Sequence, residues 1–372
     1  MNELKTNIEK YFTNDLSTYA FSNYPRDIKK DYYFELRDKI SRDLIHIDGI
    51  LSVYSMGNVG APGISDLDFL IVVENDFSNK KLLEDYFSNL TDLDKYIAFV
   101  HYPFIAFEDN INNVLKILPL SNLNYEQGKK YDFSSEISEN ENITILSELS
   151  FLFYPNLFIN ILLMKNIDFR QSIQLLNAFR FPLEFILKYN EIKCFKQYIE
   201  KLDKIKASWK TLDKEELKKE IIILLKEALF VCYILIDEIN KKIECIESKN
   251  IDLPSFNVII LNNYNHIKSL TYTVNIYYKY NRLVKFLPLN FIKPYTMLSE
   301  NNSNIIFEYN TINMKINRNS EFMNRNKLYS DYSNNLTKNN LEDFVPYPFF
   351  FKNKKTSILK KVFYKIIKRL YK

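Results

Sequence analysis

Asp66 and Asp68 stand two residues apart at the head of an apolar run, and three of the chain's five glycines, Gly57, Gly60 and Gly63, precede them within seven residues. In an extended strand side chains alternate between faces, so the two carboxylates point one way while Leu67 and Phe69 point the other. Two neighbouring anions repel, and a divalent cation is the usual compensation. Mg2+ takes oxygen ligands, commonly one or two carboxylates together with phosphate oxygens. Glycine before the strand permits positive φ and close approach of a phosphate to backbone N–H groups. The stretch MGNVGAPGISDLDFLIVV therefore predicts a metal and nucleoside triphosphate site, with Asp66 and Asp68 as catalytic metal ligands and Mg2+ (or Mn2+) as cofactor.

Elements of recognisable period surround these residues. Residues 1–48 carry helical spacing, most clearly in DYYFELRDKISRDLIHI. Residues 49–56 read as a strand, 66–73 as a second strand, 78–90 as a helix and 95–107 as a third strand. Pro103 has no N–H to give to a ladder, so the third strand is expected to lie at an edge, to bulge or to break there. From about 143 to 248 the pattern is helical and free of glycine. The expected organisation is an α/β unit over 1–140 with a mixed sheet, a helical domain over 141–250, a mixed C-terminal region over 251–350 and a basic tail over 351–372.

The order of these features resembles the nucleotidyltransferase fold shared with DNA polymerase beta. In that family a strand ends in Gly-Ser or Gly-Asn, a short loop follows, and Ser-Asp-x-Asp opens the next strand. Gly57-Asn58 matches the pair that contacts the triphosphate, and Ser65-Asp66-Leu67-Asp68 matches the segment bearing the metal ligands. The resemblance covers roughly residues 30–110. It implies nucleotide contacts from Gly57, Asn58, Gly63 and Ser65. Asn58 stands where Ser is commoner and keeps a hydrogen-bonding side chain. The resemblance also implies a third carboxylate on a later strand, for which Glu108, followed by Asp109, is the nearest candidate, and His101 is another polar residue on that stretch. Lys129 and Lys130, after the last glycine, read as a solvated turn.

Composition narrows the remaining classes. Apolar residues form 47% of the chain, which is a folding composition. Cys194, Cys232 and Cys245 match no metal or redox spacing, and the three histidines are scattered, so a disulfide scaffold, a zinc finger and a Cys–His hydrolase are poorly supported. The first residues contain no apolar stretch like that of a secretory leader, and the expected compartment is the reducing cytoplasm. Residues 352–372 hold nine Lys or Arg and no acid, which leaves the rest of the chain at −5. An acidic body makes nucleic acid an unlikely partner.

The tail has its own pattern. Ile358, Leu359, Val362, Phe363, Ile366, Ile367 and Leu370 fall on one helical face, and Lys360, Lys361, Lys365, Lys368 and Arg369 on the other. Residues 355–372 are thus expected to lie on an anionic membrane surface, with docking on the acidic body as the alternative. The function expected is metal-dependent transfer of a nucleoside monophosphate from a triphosphate to an acceptor hydroxyl, of a glycan or lipid-linked precursor. The alternative is a membrane-peripheral scaffold or nucleotide-binding protein that keeps the fold without catalysis.

Overall fold

The structure, a computed structural model, describes residues 14–98, 100–117, 122–133 and 154–244, the short stretches 258–261 and 264–268, and isolated positions within 5–12, 142–146 and 328–344. Most of the expected mixed C-terminal region 251–350 and the basic tail 355–372 lie outside the described residues. The protein is a mixed α/β chain with a mixed sheet and several helices.

A short strand β1 (Ala20–Ser22) and helix α1 (Lys30–Leu44) lead into β2 (Ile50–Met56). Helix α1 buries Tyr33, Leu36, Ile40 and Leu44, spaced three and four residues apart, so that one stripe faces the sheet. Strand β2 pairs antiparallel with β3 (Asp68–Val73), with Met56 opposite Asp68 and Ile50 opposite Val73. After Asp68 every residue of β3 is buried. A strand covered on both faces reads as a continuous apolar run, which is what FLIVV is.

Helices α2 (Lys80–Asn89) and α3 (Asp92–Ala98) follow, then β4 (Phe104–Phe107). The third strand is therefore much shorter than the sequence pattern predicts, and residues 92–98 are helical. Thr91 is the reason: its Oγ1 accepts from the Asp94 amide at 3.1 Å and its carbonyl from the Lys95 amide, while Asp92 and Asp94 sit in the first turn. The chain breaks before β4 at Pro103, one of the expected outcomes, and His101 lies in the connection instead of within a strand.

A 3-10 turn (Glu108–Asn113), helix α4 (Val114–Ile117) and strand β5 (Leu123–Gly128) complete this region. The sheet order is β4-β3-β2-β5, with β3 and β4 parallel and β5 antiparallel to β2. Strand β4 is an edge. The Tyr332 hydroxyl, from the C-terminal stretch, donates to its Ile105 carbonyl and blunts that edge.

Helix α5 (Tyr154–Met164) leads to β6 (Asn166–Asp168), which pairs in parallel with β1. Helices α6 (Phe169–Leu187), α7 (Lys193–Ser208) and α8 (Lys214–Glu244) pack on one another, and β7 (Val258–Leu261) pairs with β8 (Tyr264–Lys268). Phe158, Phe169, Phe179, Phe195 and Tyr198 form the centre of the helical core. Full burial of a large apolar side chain contributes about 1.5–3 kcal/mol against exposure.

Two cores result, and each borrows from a distant part of the chain. Ile8, Phe12 and Tyr19, with Ala61 and Ile64 of the glycine-rich loop, belong to the helical core. Tyr332, Leu336, Leu341 and Phe344 belong to the sheet core. The loop before Asp66 is thus built between both. Among the described residues no helix is long and apolar enough to cross a membrane.

Candidate metal centre

The antiparallel register of β2 and β3 brings the end of one strand to the beginning of the other, with Met56 beside Asp68. Gly57 and Asn58 thereby emerge next to the aspartates. Asp66 and Asp68 are half-buried, and Leu67 and Phe69 between and after them are buried. Regular pairing starts only at Asp68. The alternation reaches back to Asp66 because the Leu67 amide leaves the β2 ladder and donates to Ile97 O, in α3, at 2.9 Å.

His101 closes the group. Its Nε2 lies 3.1 Å from Asp68 Oδ1, and its Nδ1 lies 2.8 Å from the Tyr102 carbonyl. Ligand atoms of Asp66, Asp68 and His101 all fall within 4.8 Å of one another, so the three could hold a metal ion. The protonated ring donates from Nδ1 to Tyr102 O and from Nε2 to Asp68, and loss of the Nε2 proton would free a lone pair for a metal. A backbone carbonyl that fixes the ring in this way is the usual support of a metal-binding histidine.

The electrostatics concentrate negative charge at this group. Burial and then the Asp68 carboxylate push Asp66 up to about 7, against smaller opposing effects of His101 and Arg170. Burial pulls His101 down, but the hydrogen bond and charge of Asp68, the Tyr102 carbonyl and the charge of Asp66 outweigh it and raise the imidazole to about 9. Protons are retained where negative charge is concentrated. A divalent ion would relieve the same repulsion.

The glycine-rich loop divides into an open tip and a clamped base. Gly57 has φ +68°, and a Cβ there or at Gly60 would meet nothing within 4 Å. The Gly57 amide is engaged by Asn122 O. Asn58 and Gly60 are exposed, and among the described residues the amides of Asn58, Val59 and Gly60 have no acceptor.

Gly63 and Ser65, expected at the nucleotide, are spent inside the protein. Gly63 is buried with φ +90°; its N–H donates to Tyr33 Oη, and its carbonyl accepts from Tyr96 Oη, each at 2.8 Å. A Cβ on Gly63 would lie 2.0 Å from the Arg26 carbonyl oxygen. Ser65 Oγ accepts from the Ala61 amide, and its own amide returns to Ala61 O, which closes the loop locally.

Glu108 does not join the aspartates. The parallel register sets Val73 against Phe107, so Glu108 follows the far end of β4. Five residues of strand, about 17 Å, separate that end from Asp68. There Glu108 accepts from Lys129 Nζ at 2.6 Å and from Tyr131 Oη at 2.8 Å, and these donors lower its pKa. Asp109 is the second residue of the 3-10 turn, its amide donating to Asn75 Oδ1. His101 occupies the third position instead.

Sequence reasoning missed the residues that support the loop. Arg170, in the first turn of α6, is 2% exposed and donates from Nε to Ile64 O at 3.0 Å, from one terminal nitrogen to Ser65 O at 2.8 Å, and from the other to Tyr96 O. Its guanidinium lies 3.9 Å from the centre of the Tyr96 ring. Gln174, one turn on, also donates to Ile64 O at 2.8 Å, and Tyr33 Oη donates to Ser65 O at 3.0 Å. The available signal was an arginine on the same helical face as Ile173 and Gln174, just after the N-cap Asp168.

The fold and site define a mixed α/β protein with an Asp–Asp–His group at one end of its sheet. Compared with known proteins, the chain matches no family model, no curated protein and no solved structure.

Proposed function

We propose that the protein is a metal-dependent nucleotidyltransferase, which moves a nucleoside monophosphate from a nucleoside triphosphate to an acceptor hydroxyl. The observation that carries this reading is the juxtaposition of Asp66, Asp68 and His101 with the open tip of the glycine-rich loop. Transfer would join the acceptor oxygen to the α-phosphorus and release pyrophosphate. A bound Mg2+ or Mn2+ supplies activation of the hydroxyl and neutralises charge on the leaving group. Asp66 and Asp68 would hold it through oxygen and His101 through Nε2, a nitrogen donor that suits Mn2+ better than Mg2+. Asn58 and the amides of residues 58–60 face the phosphates in this reading. The helix before β2, and the helix and strand that follow β3, support the same resemblance as the motif.

The acceptor we infer is a glycan or lipid-linked precursor, on the strength of the cationic amphipathic tail alone. A second reading, nucleotide binding without transfer, draws on the Asp68–His101 pair, in which an imidazole already partners one carboxylate. Calorimetry with each nucleoside triphosphate, with and without Mn2+, tests the first reading in wild type and in Asp66→Asn/Asp68→Asn. Metal-dependent binding lost in the double variant supports it, and equal metal-independent binding in both proteins overturns it. Binding without pyrophosphate release from any acceptor screened favours the second reading.

A further inference from the structure

We propose that Arg170 is the positioning residue of the metal centre, the group through which the helical unit sets the place of Asp66. The inference rests on the metal reading above. Asp66 lies outside the β2–β3 ladder, which begins at Asp68, so sheet pairing does not determine its position. The chain on either side of it is held by other means. Leu67 is tied through its amide to Ile97 O, and Ile64 and Ser65 are tied through their carbonyls to the Arg170 fork. The third arm of the fork reaches Tyr96 O, the carbonyl next to Ile97. One planar guanidinium therefore joins the chain just before Asp66 to the α3 carbonyl beside the one that holds Leu67, and its rigid geometry fixes their separation.

The choice of an arginine is informative. Neutral donors could satisfy these carbonyls, and Gln174 and Tyr33 already contribute one bond each. A buried full charge is costly without compensation. Among the described residues Arg170 has no carboxylate at ion-pair distance, and backbone carbonyls surround it. The fork binds the Ser65 carbonyl, one residue before Asp66, and so sets where the Asp66 carboxylate meets Asp68 and His101. The base of α6 is itself anchored for this: Asp168 caps the helix at the Gln171 amide and accepts from Asn23, whose carbonyl takes the Arg170 amide.

The test is Mn2+ binding to the full chain, read by electron paramagnetic resonance of free Mn2+ at 10 °C. Circular dichroism and thermal melts on the same samples report folding. Arg170→Met is expected to weaken Mn2+ at least tenfold in protein that remains folded. Arg170→Lys, which keeps the charge but not the fork, should recover part of that loss, and Gln174→Leu should cost twofold to threefold. A purely structural joint would lower Tm yet leave the Mn2+ affinity of the folded protein within twofold of wild type, and that result overturns the inference while sparing the metal site. If Arg170→Met does not fold, Arg170→Lys decides by the same criterion. Wild type that binds no Mn2+ overturns the metal reading, and this inference with it.

Discussion

The ring of Phe344 stacks on that of Tyr102, with centroids 4.7 Å apart and planes 26° from parallel. Tyr102 follows His101 and supplies the carbonyl that meets His101 Nδ1. A residue near the C-terminal end of the described chain therefore buttresses the loop that carries the third metal-site residue. Phe344 is fully buried, also contacts Phe87, and sits in the sheet core with Tyr332. Phe344→Ala should lower the unfolding free energy by about 3–5 kcal/mol. Urea denaturation measures it, and a loss below about 1 kcal/mol, the scale of a surface change, would show that the stack does not hold this segment in place.

His101 should decide which metal binds. His101→Ala removes Nε2 from the group and is expected to weaken Mn2+ about tenfold or more, as losses around metal ligands commonly do. His101→Asp replaces nitrogen by oxygen and should shift preference toward Mg2+. Calorimetric titration with both ions tests this, and unchanged Mn2+ affinity in His101→Ala would exclude the imidazole as a ligand.

The same group predicts a pH dependence. Folding raises Asp66 from 3.8 to about 7 and His101 from 6.5 to about 9. A group that binds its proton more tightly when folded stabilises the fold below its unfolded pKa, and that contribution is lost as pH climbs through the folded value. Metal-free Tm should therefore fall between pH 6 and 8.5, and the gain on adding Mn2+ should grow, because the cation replaces those protons. Thermal melts in chelator and in Mn2+ check both trends. A Mn2+ gain that is the same at the two pH values contradicts the assignment.

The glycines should behave unequally. Gly63→Ala forces a Cβ against the Arg26 carbonyl at positive φ, so the protein should be severely destabilised or fail to fold. Gly60→Ala meets open space and should leave Tm nearly unchanged. Gly57→Ala carries only the strain of left-handed backbone, about 1–2 kcal/mol. Expression and melting of the three variants rank them, and a Gly63→Ala protein as stable as Gly60→Ala would refute the packing role.

Residues 355–372 are expected to carry the protein to anionic vesicles. Each Lys or Arg near such a surface contributes about 1 kcal/mol, and the attraction fades as salt shortens the Debye length from about 10 Å at 0.1 M to about 3 Å at 1 M. Sedimentation of the full chain with anionic and neutral liposomes, beside a chain ending at Phe351, measures this. If both remain in the supernatant at 0.1 M salt, the surface-bound acceptor loses its support.

Local periods make part of the site legible in residue order alone. Alternation is a property of a single extended segment, so the common face of Asp66 and Asp68 and the buried run after them follow from it directly. The apolar stripe of α1 and the long glycine-free helices are equally local, since helical period repeats within one element. The segment 92–107 is not legible in the same way. Its short apolar stretches fit a strand as well as a helix, and the Thr91 cap, with Asp92 and Asp94 behind it, is what separates them.

Tertiary structure alone decided which residues share the centre. Glu108 and His101 are both near the aspartates in sequence, but the parallel register of β3 with β4 sends Glu108 to one end of the sheet and leaves His101 at the other. Gly63 looks like any glycine of a phosphate loop until Arg26, Tyr33 and Tyr96 surround it. Arg170 lies more than a hundred residues from the Ile64 and Ser65 carbonyls it grips, and its role exists only because α6 packs its first turn against the loop. Such pairings depend on how separate elements pack on one another, and nothing in the period of a single segment encodes that.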